Sequence, residues 1–237
     1  MALPSLPASR VPDSRDAPAL RWGIMGPGWI AERFTESVQA HTTQVIAAVG
    51  SRSLARSEAF ADTFGVPAAY GSYEELAAAP GIDIVYVCTP HNFHQSAAIL
   101  AIDAGKHVLI EKPLGLNALQ ARDIAARAAA ADVFAAEAMW SFFLPKFDVI
   151  RQVLDAGVLG TVSTVLAEYG EHFDRSHRIF DPALAGGRCW TWAPTRWHSS
   201  PKCWVRRSGC RPSGSRMNPV STPSFPPSWN FPAEARP

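Results

Sequence analysis

A chain of 237 residues with 47% hydrophobic content has the ordinary make-up of a soluble globular protein, so a packed core is expected. No run approaches the roughly 18 apolar residues that a membrane span needs, and the four cysteines (Cys88, Cys189, Cys203, Cys210) have neither metal-ligand spacing nor the pattern of a disulfide framework. The net charge of +1 hides an asymmetry: residues 188–237 hold eight Lys/Arg against one acid, a charge of +7, while the rest holds 14 basic and 20 acidic groups, a charge of −6.

Residues 1–19 lack the apolar h-region of a secretion signal and are expected as a flexible leader of a cytoplasmic protein. Arg21 to Met25 then reads as a short apolar strand, and Gly26-Pro-Gly-Trp-Ile-Ala31 follows it at the start of a helical pattern running to about Gln39. This is G-x-G-x-x-A between strand and helix. Gly26 permits the tight turn, Gly28 lets backbone approach a pyrophosphate, and the small Ala31 allows close helix–strand packing. The helix N-terminus, with Trp29 and Ile30, then offers N–H groups and a positive dipole end to the phosphates.

Val45 to Val49 is a second buried strand, and a helix is expected from about Ala55 to Phe64. Where that strand ends, an acid would bond the ribose 2′-hydroxyl of NAD; the residues here are Gly50-Ser51-Arg52-Ser53. A cation flanked by hydroxyls suits a 2′-phosphate, which favours NADP and leaves NAD possible, although Arg52 is also compatible with a solvated loop. Tyr73 to Ala79 reads as a short helix and Ile82 to Cys88 as a buried strand. Thr89-Pro-His-Asn-Phe-His94 forms the loop at its end, Phe93 to Ala104 is helical, and His107 to Ile110 is again a strand. Strands alternating with helices argue for a parallel, doubly wound α/β sheet of the Rossmann type with ligands at the strand carboxyl ends, where Thr89, His91, His94, Glu111 and Lys112 fall.

The runs GPGWIA, SRS, TPHNFH, AGKHVLIEKPLG and EAMW resemble the glucose-fructose oxidoreductase and inositol dehydrogenase (Gfo/Idh/MocA) family, in particular its NADP-dependent dihydrodiol and D-xylose dehydrogenase branch. The resemblance covers about residues 20–187. It implies that Lys112 of E-K-P lies beside nicotinamide and substrate as the catalytic lysine, that Thr89, Pro90, His94 and Glu111 line the cofactor, and that Trp140 lies near the substrate. An arginine that relatives often carry just after is replaced by Ser141-Phe-Phe-Leu144; Phe142 and Phe143 are expected as packing. Leu144 to Ala156 reads as a helix stopped near Gly157, and Val162 to Tyr169 alternates like the first strand of an α+β second domain, which in the family closes over the nicotinamide and forms a dimer face. The expected organisation is a dinucleotide-binding domain over 20–140, the truncated start of that second domain over 141–187, and an irregular tail over 188–237.

The tail lacks Leu, Ile, Asp, Tyr and Gln while holding nine of 20 prolines and five of eight tryptophans. Such a composition supplies neither a periodic helix nor an alternating strand. Relatives continue here with a segment resembling L-L-D-x-G-x-Y/H-P. Reading new codons from the third base of each codon and the first two of the next, Cys189 into Trp190 forces Leu, Trp190 into Thr191 forces Asp, and Trp192 into Ala193 forces Gly, followed one position later by Tyr, His, Asn or Asp. Downstream, Trp197 into His198 forces Ala, Cys203 into Trp204 forces Leu and Trp204 into Val205 forces Gly. The hidden L-D-x-G-x-[YHND] points to a frameshift after Gly187, whereas an independently evolved basic tail for nucleic acid would leave it unexplained.

The expected function is hydride transfer between NADP and the hydroxyl carbon of a sugar or cyclic diol, with activity in doubt for the chain as written; the alternative is a non-catalytic NADP-binding module. A small-molecule substrate, no nucleic acid, no membrane, no metal and, for an intact family member, a homodimer complete the expectation.

Overall fold

The apolar runs beginning at Arg21, Val45, Ile82 and His107 all enter one parallel sheet. The computed structural model describes residues 5–164, 172–174, 177–181 and 184. The strands are β1 (Arg21–Met25), β2 (Val45–Gly50), β3 (Ala69–Tyr70), β4 (Ile84–Val87), β5 (His107–Ile110) and β6 (Ala135–Glu137). Their order is β3-β2-β1-β4-β5-β6, with every pairing parallel. The order reverses between β1 and β4, which makes the crevice beyond these two strand ends the place where a ligand binds in an open α/β sheet. The helices are α1 (Trp29–His41), α2 (Leu54–Phe64), α3 (Tyr73–Ala78), α4 (His94–Asp103), α5 (Ala118–Ala130) and α6 (Pro145–Asp155).

The strands read as continuous apolar runs because both faces of the sheet are covered. Successive side chains alternate between two cores: Met25, Val85 and Val87 join Leu76, Ala98, Ile102 and Ile124 on one face, while Ile24 and Tyr86 join Ala31, Val38 and Phe60 on the other. Gly50 at the end of β2 admits this packing, because a Cβ there would lie 2.8 Å from Leu76 Cβ. Helix ends follow ordinary capping rules. Ser72 caps α3 through Glu75 N, Asn117 caps α5 through Leu119 N and Gln120 N, and Gly65 closes α2 in the left-handed region at φ 66°.

Residues 5–19 are not the free leader that composition suggests. Gln44 accepts from Leu20 N and Trp22 Nε1 and donates to Pro18 O, while Ser14 Oγ donates to His41 O. Further back, Arg10 holds the buried Asp148 of α6 with its backbone N–H (2.7 Å) and its guanidinium (2.7 Å), and Gln152 donates to both Asp148 and Ala8 O. Polar partners at both ends, the part-buried Gln44 and the buried Asp148, anchor a segment that contributes no large apolar side chain to the core.

The hydrogen bonds from Arg10 hold the Asp148 carboxyl down at about 2, against an ordinary 3.8. A depressed carboxylate contributes stability that is fully present above its unfolded value and lost as pH falls through its folded value. Hydrogen exchange of residues 5–20, corrected for intrinsic rates, is therefore expected to rise selectively between pH 3.8 and about 2. In Asp148→Asn it should already be raised at pH 5; equal protection in the two proteins at that pH would refute the anchor.

Among the described residues, 162–164 have no regular structure and 165–169 are not described, so the expected strand from Val162 to Tyr169 lies largely outside them, as do Cys189, Cys203, Cys210 and the whole 188–237 tail. Also among the described residues, no helix is long and apolar enough to cross a membrane, and no group of three His, Cys, Asp or Glu is placed to hold a metal ion.

Candidate functional site: the strand-end crevice

Register places the ends of five strands along one edge. Met25 pairs with Gly50 and Val87, Val87 with Ile110, and Ile110 with Glu137. The loops that follow these residues therefore meet: Gly26–Gly28, Ser51–Ser53, Thr89–His94, Glu111–Pro113 and Ala138–Phe143.

Gly26 adopts φ 100° and donates to Gly50 O at 3.0 Å, and a Cβ on it would come within 3.3 Å of the Cys88 carbonyl and of Thr89 Cγ2. Only glycine fits there without strain. Gly28 differs, being extended at φ −128°, with no atom within 4 Å of where its Cβ would stand. The first bond of α1 is Glu32 N to Gly28 O, so the N–H groups of Trp29, Ile30 and Ala31 have no intrahelical acceptor and face the turn. Trp29 is exposed and Ile30 packs onto the second core, so what these two offer an anion is their main chain. An open cradle beside free N–H groups at the positive end of a 13-residue helix fits a pyrophosphate.

At the end of β2, Ser51 is buried, its N–H donates to Tyr70 O, and its Oγ accepts from Ser53 N. That turn leaves Arg52 outward, with its guanidinium 5.5 Å from the centre of the Phe93 ring. Arg56, which sequence reading passed over, donates to Pro27 O inside the glycine turn and adds a second cation to this side.

Thr89 is buried at the end of β4, and its Oγ1 has no hydrogen-bond partner among the described residues, a group of the kind that a bound ligand satisfies. Pro90 follows it, partly exposed. His94 requires a correction. It is fully buried, with Nδ1 2.7 Å from Pro113 O and Nε2 2.9 Å from Thr89 O, so it ties two loops together from behind and presents no surface to a cofactor. The reason is its place in the first turn of α4, which packs against β4 and β5 and turns the ring into the core.

Four hydrogen bonds hold the Glu111-Lys112-Pro113 segment and the residue after it, besides the cis Lys112–Pro113 peptide. Tyr86 Oη donates to Glu111 Oε1 at 2.6 Å, Glu111 Oε2 accepts from Lys112 N at 3.1 Å, His94 meets Pro113 O, and Glu137 Oε1 accepts from Leu114 N at 2.9 Å. Burial pushes the Glu111 carboxyl above the usual range, against the opposing pull of the Tyr86 hydroxyl and the Lys112 charge. Glu111 thus faces the core side of its loop, and Lys112, half-buried, comes next in the chain at the crevice edge. Tyr86 and Glu137 hold this segment in place; Glu137 opens the EAMW run, whereas no motif marks Tyr86. Tyr86 reads as one more apolar strand residue, and its hydroxyl was the signal.

After β6, Met139 and Ser141 turn inward at 2% exposure, whereas Trp140, Phe142 and Phe143 point out at 57%, 39% and 71%. Phe142 and Phe143 are therefore not core packing, as expected above, because the 3₁₀ turn over Trp140–Phe143 commits its inward positions to Met139 and Ser141. Cys88 is a buried thiol whose Sγ lies 3.1 Å from Gly26 O, and burial pushes its pKa up.

Known proteins share this sequence and fold over the same region. The chain is 45% identical over 174 residues to mouse trans-1,2-dihydrobenzene-1,2-diol dehydrogenase and 41% identical over 171 residues to the human protein of that name; each match covers 71% of this chain. It spans about half the length of these relatives, 51% of each. Among solved structures, the 3-ketoreductase KijD10 from Actinomadura kijaniata, crystallised with TDP-benzene and NADP, matches at a TM-score of 0.56 and 30% identity, over 60% of this chain and 45% of that one. An NAD-binding oxidoreductase from Klebsiella pneumoniae matches at 0.55 and 28% identity, over 59% and 39%. The family model described as "Oxidoreductase family, NAD-binding Rossmann fold" matches residues 20–138, so this chain belongs to the Gfo/Idh/MocA oxidoreductase family.

Proposed function

We propose that the protein is an NADP-dependent dehydrogenase acting on a CH–OH group of a sugar or cyclic diol, with Lys112 in proton transfer. The observation that carries this reading is the shared edge: the glycine turn, Arg52 and the clamped Lys112 all follow strand ends in register. When bound, NADP supplies the hydride acceptor. The chain's part is to hold and orient. The main chain of Trp29 and Ile30 receives the pyrophosphate, Arg52 with Ser51 and Ser53 receives the 2′-phosphate, and Thr89 and Pro90 border the nicotinamide side. Oxidising a hydroxyl requires that its proton leave, and Lys112 accepts it at Nζ. A free lysine, at about 10.4, is a poor base at neutral pH; a crevice that removes water and a nearby positive charge both lower that value. Trp140, more than half exposed beside this edge, gives the substrate an apolar wall. The names of the mammalian relatives support a diol substrate, and the NADP bound in KijD10 supports the cofactor.

We further infer that residues 188–237 come from a shifted reading frame, and that the restored frame completes an α+β domain and a homodimer. Sequencing the DNA across codons 180–200 tests this, since an unbroken frame there leaves the chain as a cofactor-binding module. The functional test is initial-rate reduction of NADP⁺ and of NAD⁺ with dihydrodiols and aldoses, using the frame-restored protein. Substrate-dependent reduction with NADP⁺ preferred is expected. Arg52→Ala should erode that preference by about 10- to 100-fold, the worth of one charge-assisted hydrogen bond. Absence of reduction with every diol and sugar overturns the reading.

A further inference from the structure

We propose that Tyr86 is a positioning residue for proton transfer at Lys112, acting through the Glu111 carboxylate that its hydroxyl holds. The proposal rests on the proton-transfer reading of Lys112 given above.

Tyr86 sits in the middle of β4 with 2% exposure, its ring stacked on Phe34 at 4.1 Å and packed in the second core. Phenylalanine would fill that space without bringing a polar atom into it. A buried hydroxyl costs free energy unless it is bonded, so its presence calls for a partner. That partner is Glu111 Oε1 at 2.6 Å, on the neighbouring strand end, and the other oxygen of the same carboxylate takes the Lys112 N–H. One phenol and one carboxylate therefore connect the core directly to the residue that carries the chemistry.

The connection is electrostatic as well as geometric. Burial and the nearby Glu137 favour the neutral form of Glu111, while the Tyr86 hydroxyl and Lys112 favour the ionised form. Cys88, the remaining titratable group near Tyr86, is itself buried and held in its thiol form. An ionised Glu111 favours the ammonium of Lys112, and a neutral one favours the free amine. The Tyr86 hydroxyl draws the Glu111 carboxyl toward its ionised form against the effect of burial and so raises the proton affinity of Lys112, while the contacts of His94 and Glu137 hold the loop backbone. A base whose affinity is set by a neighbour in the core is tuned independently of its contacts with substrate.

The experiment measures the Lys112 amine directly in the full chain. Acetylation by acetic anhydride is followed by peptide mass spectrometry as a function of pH in the wild type, Tyr86→Phe, Glu111→Gln and the double variant. Lys106, which donates to Ala79 O and Ile82 O away from this site, serves as the internal control. Each single variant is expected to shift the Lys112 labelling midpoint down by about half a unit or more, a threefold fall in proton affinity, and the double variant by no more than the larger single. A Lys112 profile in Tyr86→Phe that superimposes on the wild type or moves upward overturns the proposal, as do shifts that add in the double variant. If the Lys106 profile also changes in Tyr86→Phe, the fold has been disturbed and Glu111→Gln carries the test alone; no downward shift there overturns the proposal. Turnover that survived Lys112→Ala would overturn only the proton-transfer reading, because the labelling profile does not depend on turnover.

Discussion

Lys112→Ala in the frame-restored protein is expected to lower kcat by about 10²- to 10⁴-fold, the usual worth of a positioned general base. NADPH affinity should stay within about threefold, because the pyrophosphate and 2′-phosphate are held from other strand ends, at Trp29–Ile30 and Arg52. Lys112→Arg separates two roles for the amine. Arginine restores a positive charge but does not deprotonate in a protein, so a charge-only role would be rescued and a proton-accepting role would not. Initial rates and fluorescence titration with NADPH read both quantities. Turnover undiminished in Lys112→Ala would remove the residue from the mechanism, and rescue by arginine would reduce it to an electrostatic contact.

Gly28→Val is expected to abolish dinucleotide binding while leaving the fold intact. The backbone at Gly28 is extended, and a Cβ there meets no protein atom within 4 Å, so thermal unfolding should move by no more than about 2 °C. The space the new side chain enters is the cradle at the N-terminus of α1. A pyrophosphate excluded from those N–H groups should lose at least about 100-fold in NADPH affinity, equivalent to about 2.7 kcal/mol. Gly26 makes the contrast sharp. At φ 100° and with Cys88 backbone at 3.3 Å, Gly26→Val strains the protein itself and is expected to cost about 1–3 kcal/mol of stability. Normal NADPH binding by Gly28→Val would mean that the phosphates lie elsewhere.

These two glycines also show how unevenly the fold was legible. The G-x-G-x-x-A turn, the Ser-Arg-Ser loop and E-K-P were readable because each stands at a fixed offset from an apolar run, and offset from a strand end is what places a residue at the crevice. β3, β6 and α5 were not readable. Ala69–Tyr70 and Ala135–Glu137 are too short to show a period, and α5 buries little besides Ile124 and Ala128, so its alanines give no contrast between faces.

Local sequence determined the elements with long apolar periods, the residue types at the strand ends and the change of composition after Gly187, since hydrophobic pattern, backbone permissiveness and composition are all properties of neighbours in the chain. Tertiary structure alone decided that His94 points into the core, that Phe143 points out of it, that Arg10 is bound to Asp148, and that Tyr86 holds Glu111. The His94, Arg10 and Tyr86 contacts reach partners 19 to 138 residues away, and the outward turn of Phe143 follows from how its 3₁₀ turn sits on the core; no local pattern carries that information.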